Sequence, residues 1–300
     1  MYDLIIIGGG PAGLTASIYA IRKRLHALTI SMNLGGKTNL HLSIPWAEHY
    51  QVIKGLEITE KFKTELEYLD FAHTTDTVTH VTQVNGAFSV KTKNGAIYDA
   101  KTILVATGVR MEMLGITGEK EFFFKGLSYS AISYSPLFID KNTMVIGEGD
   151  LALRSVAELA DSAASVQAVV AAADLESDLG KKLAAKKNIT FYPGHTVSRI
   201  LGDDYVKSVE LETPAGETIN LPVDGIFVEK SHLPNTEFLK GLVELDEQGK
   251  IKVDCQNRTN VPGIFAAGDV TSNNTEQVLV AVGEGAKAVL NAYDYLLRSH

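Results

Sequence analysis

The 300-residue chain has a single cysteine, Cys255. An internal disulfide and a cysteine-ligated metal cluster are thereby excluded, because each needs more than one thiol. Cys255 lies in the polar stretch Lys252-Val253-Asp254-Cys255-Gln256 and reads as an ordinary thiol, not a redox centre. Positive charge is also scarce: 28 Lys and Arg against 36 Asp and Glu leave a net charge of −8. A nucleic-acid binder wants a basic face, so that class is set aside. No apolar run reaches the roughly 18 residues that span a bilayer, and no membrane partner is expected. The opening Met1-Tyr2-Asp3-Leu4 lacks the basic region of a secretion signal. Together with the near-absence of cysteine, this leads us to expect a cytoplasmic protein. His41, His49, His73 and His80 are scattered without the spacing of metal ligands, and no metal is expected.

What is present is apolar residue in quantity, 45% of the chain, at a length that suits two compact domains. Leu4-Ile5-Ile6-Ile7 reads as a buried strand that runs into Gly8-Gly9-Gly10-Pro11-Ala12-Gly13 and then a helix from Leu14 to Arg22. Strand, glycine turn and helix give G-x-G-x-x-G the context of a dinucleotide site. Gly8 permits the tight turn, Gly10 lets backbone approach a pyrophosphate, and Gly13 lets helix and strand pack closely. The pyrophosphate would rest on the helix N-terminus, whose free N–H groups favour negative charge. The next strand, Ala27 to Ile30, ends at Ser31, where such folds usually offer an acid to the adenosine ribose.

The pattern recurs. Thr143-Met144-Val145-Ile146 reads as a strand, Gly147-Glu148-Gly149-Asp150-Leu151-Ala152 as G-x-G-x-x-A, Leu151 to Asp161 as a helix, and Val166 to Val170 as a parallel strand. A second nucleotide on Gly147, Gly149, Asp150 and Ala152 is one expectation; a packing scaffold is the other. The strand ends in Val170-Ala171-Ala172-Ala173, which offers no cation to a ribose 2′-phosphate. Asp174 lies late for a ribose hydroxyl, and Glu148 adds like charge beside a pyrophosphate. NADPH is therefore not expected.

Further stretches follow in order: Gly35-Gly36-Lys37-Thr38, Ala106-Thr107-Gly108, Leu127 to Ser133, Pro234-Asn235-Thr236 and Gly263-Ile264-Phe265-Ala266-Ala267-Gly268-Asp269. With both glycine loops, they make the chain similar to the low-molecular-weight thioredoxin reductase family over nearly its full length. The resemblance implies an α/β fold of two Rossmann-like three-layer domains, the second inserted into the first. An FAD domain would span 1–113 and 237–300, an NAD(P)-binding-like domain 114–236, and the assembly would be a homodimer. It also implies FAD on Gly8, Gly10, Pro11, Ala12, Gly13 and Ser31, on Gly36, Lys37, Thr38 and Asn39, and on Ala106, Thr107 and Gly108. Asp269, next to Gly268 at the cofactor, would hydrogen-bond the ribityl chain, and Gln277 and Val278 would approach the pyrimidine edge beside Glu276, which replaces the family's Arg, at the start of a last helix from Glu276 to Leu297.

The departures define the function expected. Where the family has Cys-x-x-Cys, this chain has Ser130 and Ser133. A hydroxyl pair cannot carry out thiol–disulfide exchange. We therefore expect an FAD-dependent oxidoreductase whose flavin passes electrons without a dithiol, with catalytic residues unassigned. Its donor would be ferredoxin or flavodoxin, or a second FAD or other nucleotide in the inserted domain. A ferredoxin–NADP reductase and a non-catalytic flavin sensor are the alternatives. Trp46, Tyr50, Tyr129 and Tyr134 would stack on a flavin or fill the core, and Phe122-Phe123-Phe124 would be buried.

Overall fold

The computed structural model describes residues 1–46, 55–69, 72–273 and 275–299, with backbone alone at 55–59. The chain divides into two compact units. Unit 1 comprises Met1–Asn39, Ile53–Arg110 and Leu233–His300; unit 2 comprises Leu40–Val52 and Met111–His232. The crossings thus fall at 110/111 and 232/233 instead of at 113/114 and 236/237. They fall within two short strands, β7 (Val109–Met111) and β16 (His232–Pro234), which pair with each other. The stretch from Leu40 also leaves unit 1. Its Ile44 is buried in the core of unit 2 with Leu42 and Trp46 packed beside it, and Trp46 Nε1 donates to the Leu137 carbonyl at 2.6 Å. Trp46 therefore serves packing, and Tyr50 and His49 lie outside the described residues.

In unit 1, β1 (Tyr2–Ile7), β2 (Ala27–Ser31), β3 (His73–Thr75), β4 (Val78–Val84), β5 (Ala87–Thr92), β6 (Ile97–Val105) and β17 (Ile264–Ala266) form one sheet. Strands β3, β2, β1, β6 and β17 run parallel, and β5 and β4 extend the sheet antiparallel from the first half of β6. Alternating side chains of β1 feed different layers, as the strand period of two requires. Leu4 and Ile6 pack on α1 (Pro11–Arg22) and α6 (Val278–Arg298) through Ala12, Ala16, Ala20 and Ala288. Ile5 and Ile7 pack with Val81, Phe88 and Leu239 on the other face. The β4–β5 hairpin closes at Asn85-Gly86, both in the left-handed region (φ 51° and 82°), which suits an Asn-Gly turn. Helix α2 (Gly55–Glu67) completes the unit.

Unit 2 repeats the plan. Strands β8 (Leu127–Ser128), β9 (Asn142–Gly147), β10 (Ser165–Val169), β11 (Ile189–Phe191) and β15 (Gly225–Glu229) form a parallel sheet in the order β11-β10-β9-β15-β8. Helices α3 (Ala131–Tyr134), α4 (Gly149–Ala160) and α5 (Asp178–Ala184) belong to this unit, and an antiparallel meander, β12 (Thr196–Gly202), β13 (Val206–Glu212) and β14 (Thr218–Pro222), forms its third layer. Val145 and Phe227 face Ala152, Val156 and Leu159 of α4, while Met144, Ile146, Ile226 and Val228 face Val209 and Leu211 of the meander. Both units are thus three-layer α/β folds, with each glycine loop at a β-to-α turn. Among the described residues no helix is long and apolar enough to cross a membrane.

Candidate functional site

The first glycine loop joins β1 to α1. Gly8 has φ +115°, and a β-carbon there would collide with the Ala106 carbonyl; one on Gly13 would collide with the Gly8 carbonyl. These two glycines are required by packing. Gly10 differs: it is extended (φ −73°, ψ −174°), and space beside it is open. It leads into Pro11 at the first turn of α1, which no side chain caps. The N–H groups at the start of this 12-residue helix have no side-chain cap, and the space beside Gly10 is open to them. The 3₁₀ turn Gly36–Asn39 lies over this loop. Gly35 N–H donates to the Gly9 carbonyl at 2.8 Å, and the site of a Gly36 β-carbon is 3.0 Å from Gly10 Cα. Thr38 Oγ1 donates to the Gly35 carbonyl at 2.7 Å and Asn39 Nδ2 to the Leu34 carbonyl at 2.8 Å, so both fix the turn.

Lys37 projects from that turn to Asp269, with Nζ 2.6 Å from Oδ2, and lies 3.6 Å from Glu276 Oε2. Lys250 donates to Glu276 Oε1 at 3.0 Å. Gly268 has φ +78°, and its N–H donates to buried Glu284 Oε2 at 2.7 Å; Asn273 Nδ2 donates to Glu284 Oε1. Helix α6 starts at Val278 with Gln277 at its N-cap, two residues later than expected from Glu276. Ala106 and Thr107 are held from a third side. Thr107 Oγ1 donates to the Asn235 carbonyl at 2.8 Å, and Asn235 Nδ2 donates to the Thr107 carbonyl at 3.0 Å. The Asn235 N–H reaches the carbonyl of Gly108, which has φ +63°.

Ser31 is buried, and its hydroxyl already has a partner: Oγ lies 3.1 Å from His73 Nε2 on neighbouring β3. Burial holds the His73 pKa below its ordinary value, against the opposing charge of Glu67. Ser31, expected at an adenosine ribose, is therefore one half of a Ser31–His73 pair. His73, Glu284 and Lys250 give no sign of this in the sequence, because each arrives from a distant element; only Asn235 had a signal, in Pro234-Asn235-Thr236.

These residues fit FAD. The open backbone at Gly10 and the uncapped α1 suit its pyrophosphate, Asp269 is an acceptor for ribityl hydroxyls, and the N-terminus of α6 suits negative charge on a flavin pyrimidine. FAD supplies two-electron and one-electron chemistry when bound.

In unit 2, Gly147 packs where a β-carbon would collide with the Glu229 carbonyl, and Gly149 has φ +66° with open space beside it. Ala152 is fully buried in the core, and Asp150 pairs with Arg154 at 2.8 Å on the exposed face of α4. Asp174, expected to lie late for a ribose hydroxyl, turns back to the glycine loop. Its Oδ2 accepts from the Gly149 N–H at 3.0 Å and from the Ala171 N–H at 3.2 Å. Ser130 Oγ donates to Ser133 Oγ at 2.9 Å across the first turn of α3, and buried Glu229 accepts from the Ala131 N–H between them at 2.7 Å. Tyr129 is buried and donates to Glu119 Oε1; burial and that carboxylate raise its pKa. Burial also raises the pKa of Tyr134, which packs against the unit 2 core. Phe122 is buried, and Phe123 packs edge-on to Phe124. No cluster that could hold a metal occurs among the described residues, and His41 is exposed to solvent.

Residues 2–285 match the model of the Pyridine nucleotide-disulphide oxidoreductase family. The F component of alkyl hydroperoxide reductase from Staphylococcus aureus (strain MSSA476) is 36% identical over 305 residues, covering 99% of this chain and 60% of that protein. The chain thus spans less than two thirds of the length of that relative. The crystal structure of thioredoxin reductase from Streptococcus pyogenes MGAS5005 superposes with a TM-score of 0.88 at 32% identity, covering 100% of this chain and 99% of the other. Thioredoxin reductase from Giardia duodenalis gives 0.86 at 30% identity, with 99% of each chain covered. Two glycine-loop units, a fitting flavin cradle and these likenesses agree: the chain belongs to the pyridine nucleotide-disulphide oxidoreductase family, a family of FAD-binding oxidoreductases.

Proposed function

We propose that the chain is an FAD-dependent oxidoreductase whose flavin exchanges electrons directly with its partners. The observation that carries this reading is the Ser130–Ser133 pair, hydroxyl to hydroxyl at 2.9 Å in the place of a redox dithiol. Oxygen in those positions neither attacks a disulfide nor stores a pair of electrons. FAD is held in unit 1 by Gly8, Gly10, Pro11, Ala12 and Gly13 at the pyrophosphate, with Ser31 at the adenosine ribose. Asp269 takes the ribityl chain, and Gln277 and Val278 the pyrimidine edge, where the positive end of α6 stabilises reduced, anionic flavin. NADPH is not its reductant; a small one-electron carrier such as ferredoxin or flavodoxin is, in the cytoplasm.

The chain works as a homodimer. Leu279, Leu290 and Leu297 of α6 are exposed by 64%, 39% and 61% and recur along one side of the helix, which supports a covered face.

The test is flavin reduction in the purified protein under nitrogen. Reduced ferredoxin or flavodoxin should bleach the oxidised flavin band within seconds, while NADPH should leave it unchanged and no thioredoxin-type disulfide should be turned over. Fast bleaching by NADPH, or disulfide turnover, would overturn the reading. Light scattering at working concentration reads the dimer.

A further inference from the structure

We propose that Asp174 is an internal anion that closes the glycine loop of unit 2 to dinucleotides. The inference concerns unit 2 alone and holds whichever donor reduces a flavin in unit 1.

The loop keeps the backbone of a phosphate site. Gly147 allows β9 and α4 to pack, and Gly149 is left-handed (φ +66°) with open space where a side chain would stand. What a phosphate would take first is the Gly149 N–H, the first of the 12-residue helix α4. That N–H donates to Asp174 Oδ2 at 3.0 Å. A carboxylate at a helix N-terminus satisfies the same N–H and the same dipole as a phosphate oxygen. The position is taken by a group that the chain itself supplies.

Asp174 is also pre-positioned. The Asp174 N–H donates to the Ala171 carbonyl at 3.0 Å, the Ala171 N–H returns a bond to Asp174 Oδ2 at 3.2 Å, and a 3₁₀ turn spans Ala172–Glu176. Beyond it, Ser177 caps α5 by accepting from the Gly180 N–H at 3.0 Å, and Gly180 packs so closely on the Asp174 carbonyl that a β-carbon there would collide. A ligand must therefore break an ordered turn to displace the carboxylate. It must also bring two phosphate charges beside Asp174, Glu148 and Asp150, and the nearby Arg154 is already paired with Asp150 at 2.8 Å. The strand end gives nothing back, since Ala171, Ala172 and Ala173 have no group for a ribose or its phosphate.

The test is calorimetric titration of NADH, NADPH and FAD into the flavin-loaded protein. The variants are Asp174→Asn, Asp174→Ala, the double variant Asp174→Ala/Glu148→Gly, and Asp178→Asn as a charge-matched control outside the contact. We expect no saturation of wild type up to about 1 mM, a range that covers ordinary nucleotide affinities. The Asp174 variants should bind NADH at least about tenfold more tightly, and Asp178→Asn should match wild type. Tight NADH binding by wild type that Asp174→Asn abolishes would make Asp174 a ribose ligand and overturn the proposal. So would an equal gain in Asp178→Asn, or no gain in any Asp174 variant that keeps the wild-type melting temperature. If Asp174→Ala does not fold, Asp174→Asn, which keeps the side-chain shape at 174, gives the same readout. Flavin content is measured separately, so a chain without FAD would defeat the functional reading and leave this result legible.

Discussion

Lys37 Nζ lies 2.6 Å from Asp269 Oδ2, joining the turn over the first glycine loop to the carboxylate that we propose for the ribityl chain. The two sides of the pair are not equal. The Asp269 side chain is 15% exposed and that of Lys37 40%. Asp269→Ala should weaken FAD binding by about tenfold to a hundredfold, the usual worth of a hydrogen bond to a charged group. Lys37→Gln should cost less than about fivefold, because solvent screens its charge, and the loss should shrink in high salt. Flavin fluorescence at two ionic strengths reads both.

Gly10 and Gly13 separate binding from folding. Gly13→Ala drives a methyl into the Gly8 carbonyl and should destabilise the protein by about 1–3 kcal/mol. Gly10→Ala meets open space at an ordinary φ of −73°, so its melting temperature should hold. Its methyl would stand where we propose that the pyrophosphate approaches, so FAD retention should fall. Thermal unfolding with and without FAD distinguishes the two.

Those glycines show what could be read from the chain alone. Gly8, Gly10 and Gly13 have local causes, a strand behind and a helix ahead, and the sequence displays all three. So do the two β-to-α turns and the duplication, since each unit needs only alternating apolar residues and glycine at the turn. The ends of elements moved slightly: α4 starts at Gly149 instead of Leu151, and α6 at Val278 instead of Glu276. Less legible was anything made by distant chain. Ser31 meets His73 across 42 positions, and Asn235 clamps Thr107 across 128. The assignment of Leu40–Val52 to unit 2 had no local signal, because it follows from packing of Ile44 and Trp46. Asp174 differs from expectation for a related reason: strand length alone does not reveal a 3₁₀ turn that folds its carboxylate back.

Ser130 and Ser133 already have the proximity that a disulfide needs. Their oxygens are 2.9 Å apart, against about 2.05 Å for bonded sulfurs. Ser130→Cys/Ser133→Cys should therefore oxidise readily. Thiol titration should count one free thiol in the oxidised variant, the exposed Cys255, and three after reduction (two introduced plus Cys255). Three thiols that persist under oxidant would show that this turn cannot close.

Glu119 is 1% exposed and accepts three hydrogen bonds, from the N–H of Leu114 and of Gly115 and from Tyr129 Oη, each at 2.7 Å. Glu119→Ala removes the acceptor of all three donors, of which Tyr129 Oη is buried and the N–H groups of Leu114 and Gly115 are only partly covered. Unfolding in urea should show a loss of about 3 kcal/mol or more. Glu119→Gln keeps an acceptor and the shape, and should lose less than half of that.

His73 sets a pH dependence whose sign follows from burial. Its folded pKa lies below the 6.5 of the free side chain, so the unfolded chain binds the proton more readily. The neutral form is favoured in the fold, and its stability contribution is complete above the unfolded value. It declines as pH falls from about 6.5 toward the folded value. His73→Gln should flatten that part of the curve; an unchanged slope between pH 7 and 5, read at about unit steps, would assign it to other groups.

The nine-residue strand β6 is shared: its first half pairs with β5 and its second half lies between β1 and β17. β17 and α6 come from the last forty or so residues of the chain, after the whole of unit 2. During synthesis, unit 2 has its full sheet once Glu229 emerges, while unit 1 still has an open edge at Ile103–Val105 and an apolar face on Leu4 and Ile6 that α1 covers without α6. A ribosome that stalls between the two points releases a chain with one finished half and one adhesive half. The inserted architecture thus makes unit 1 the later of the two to complete its sheet, and makes loss of β17 and α6 more hazardous to solubility than their length would suggest.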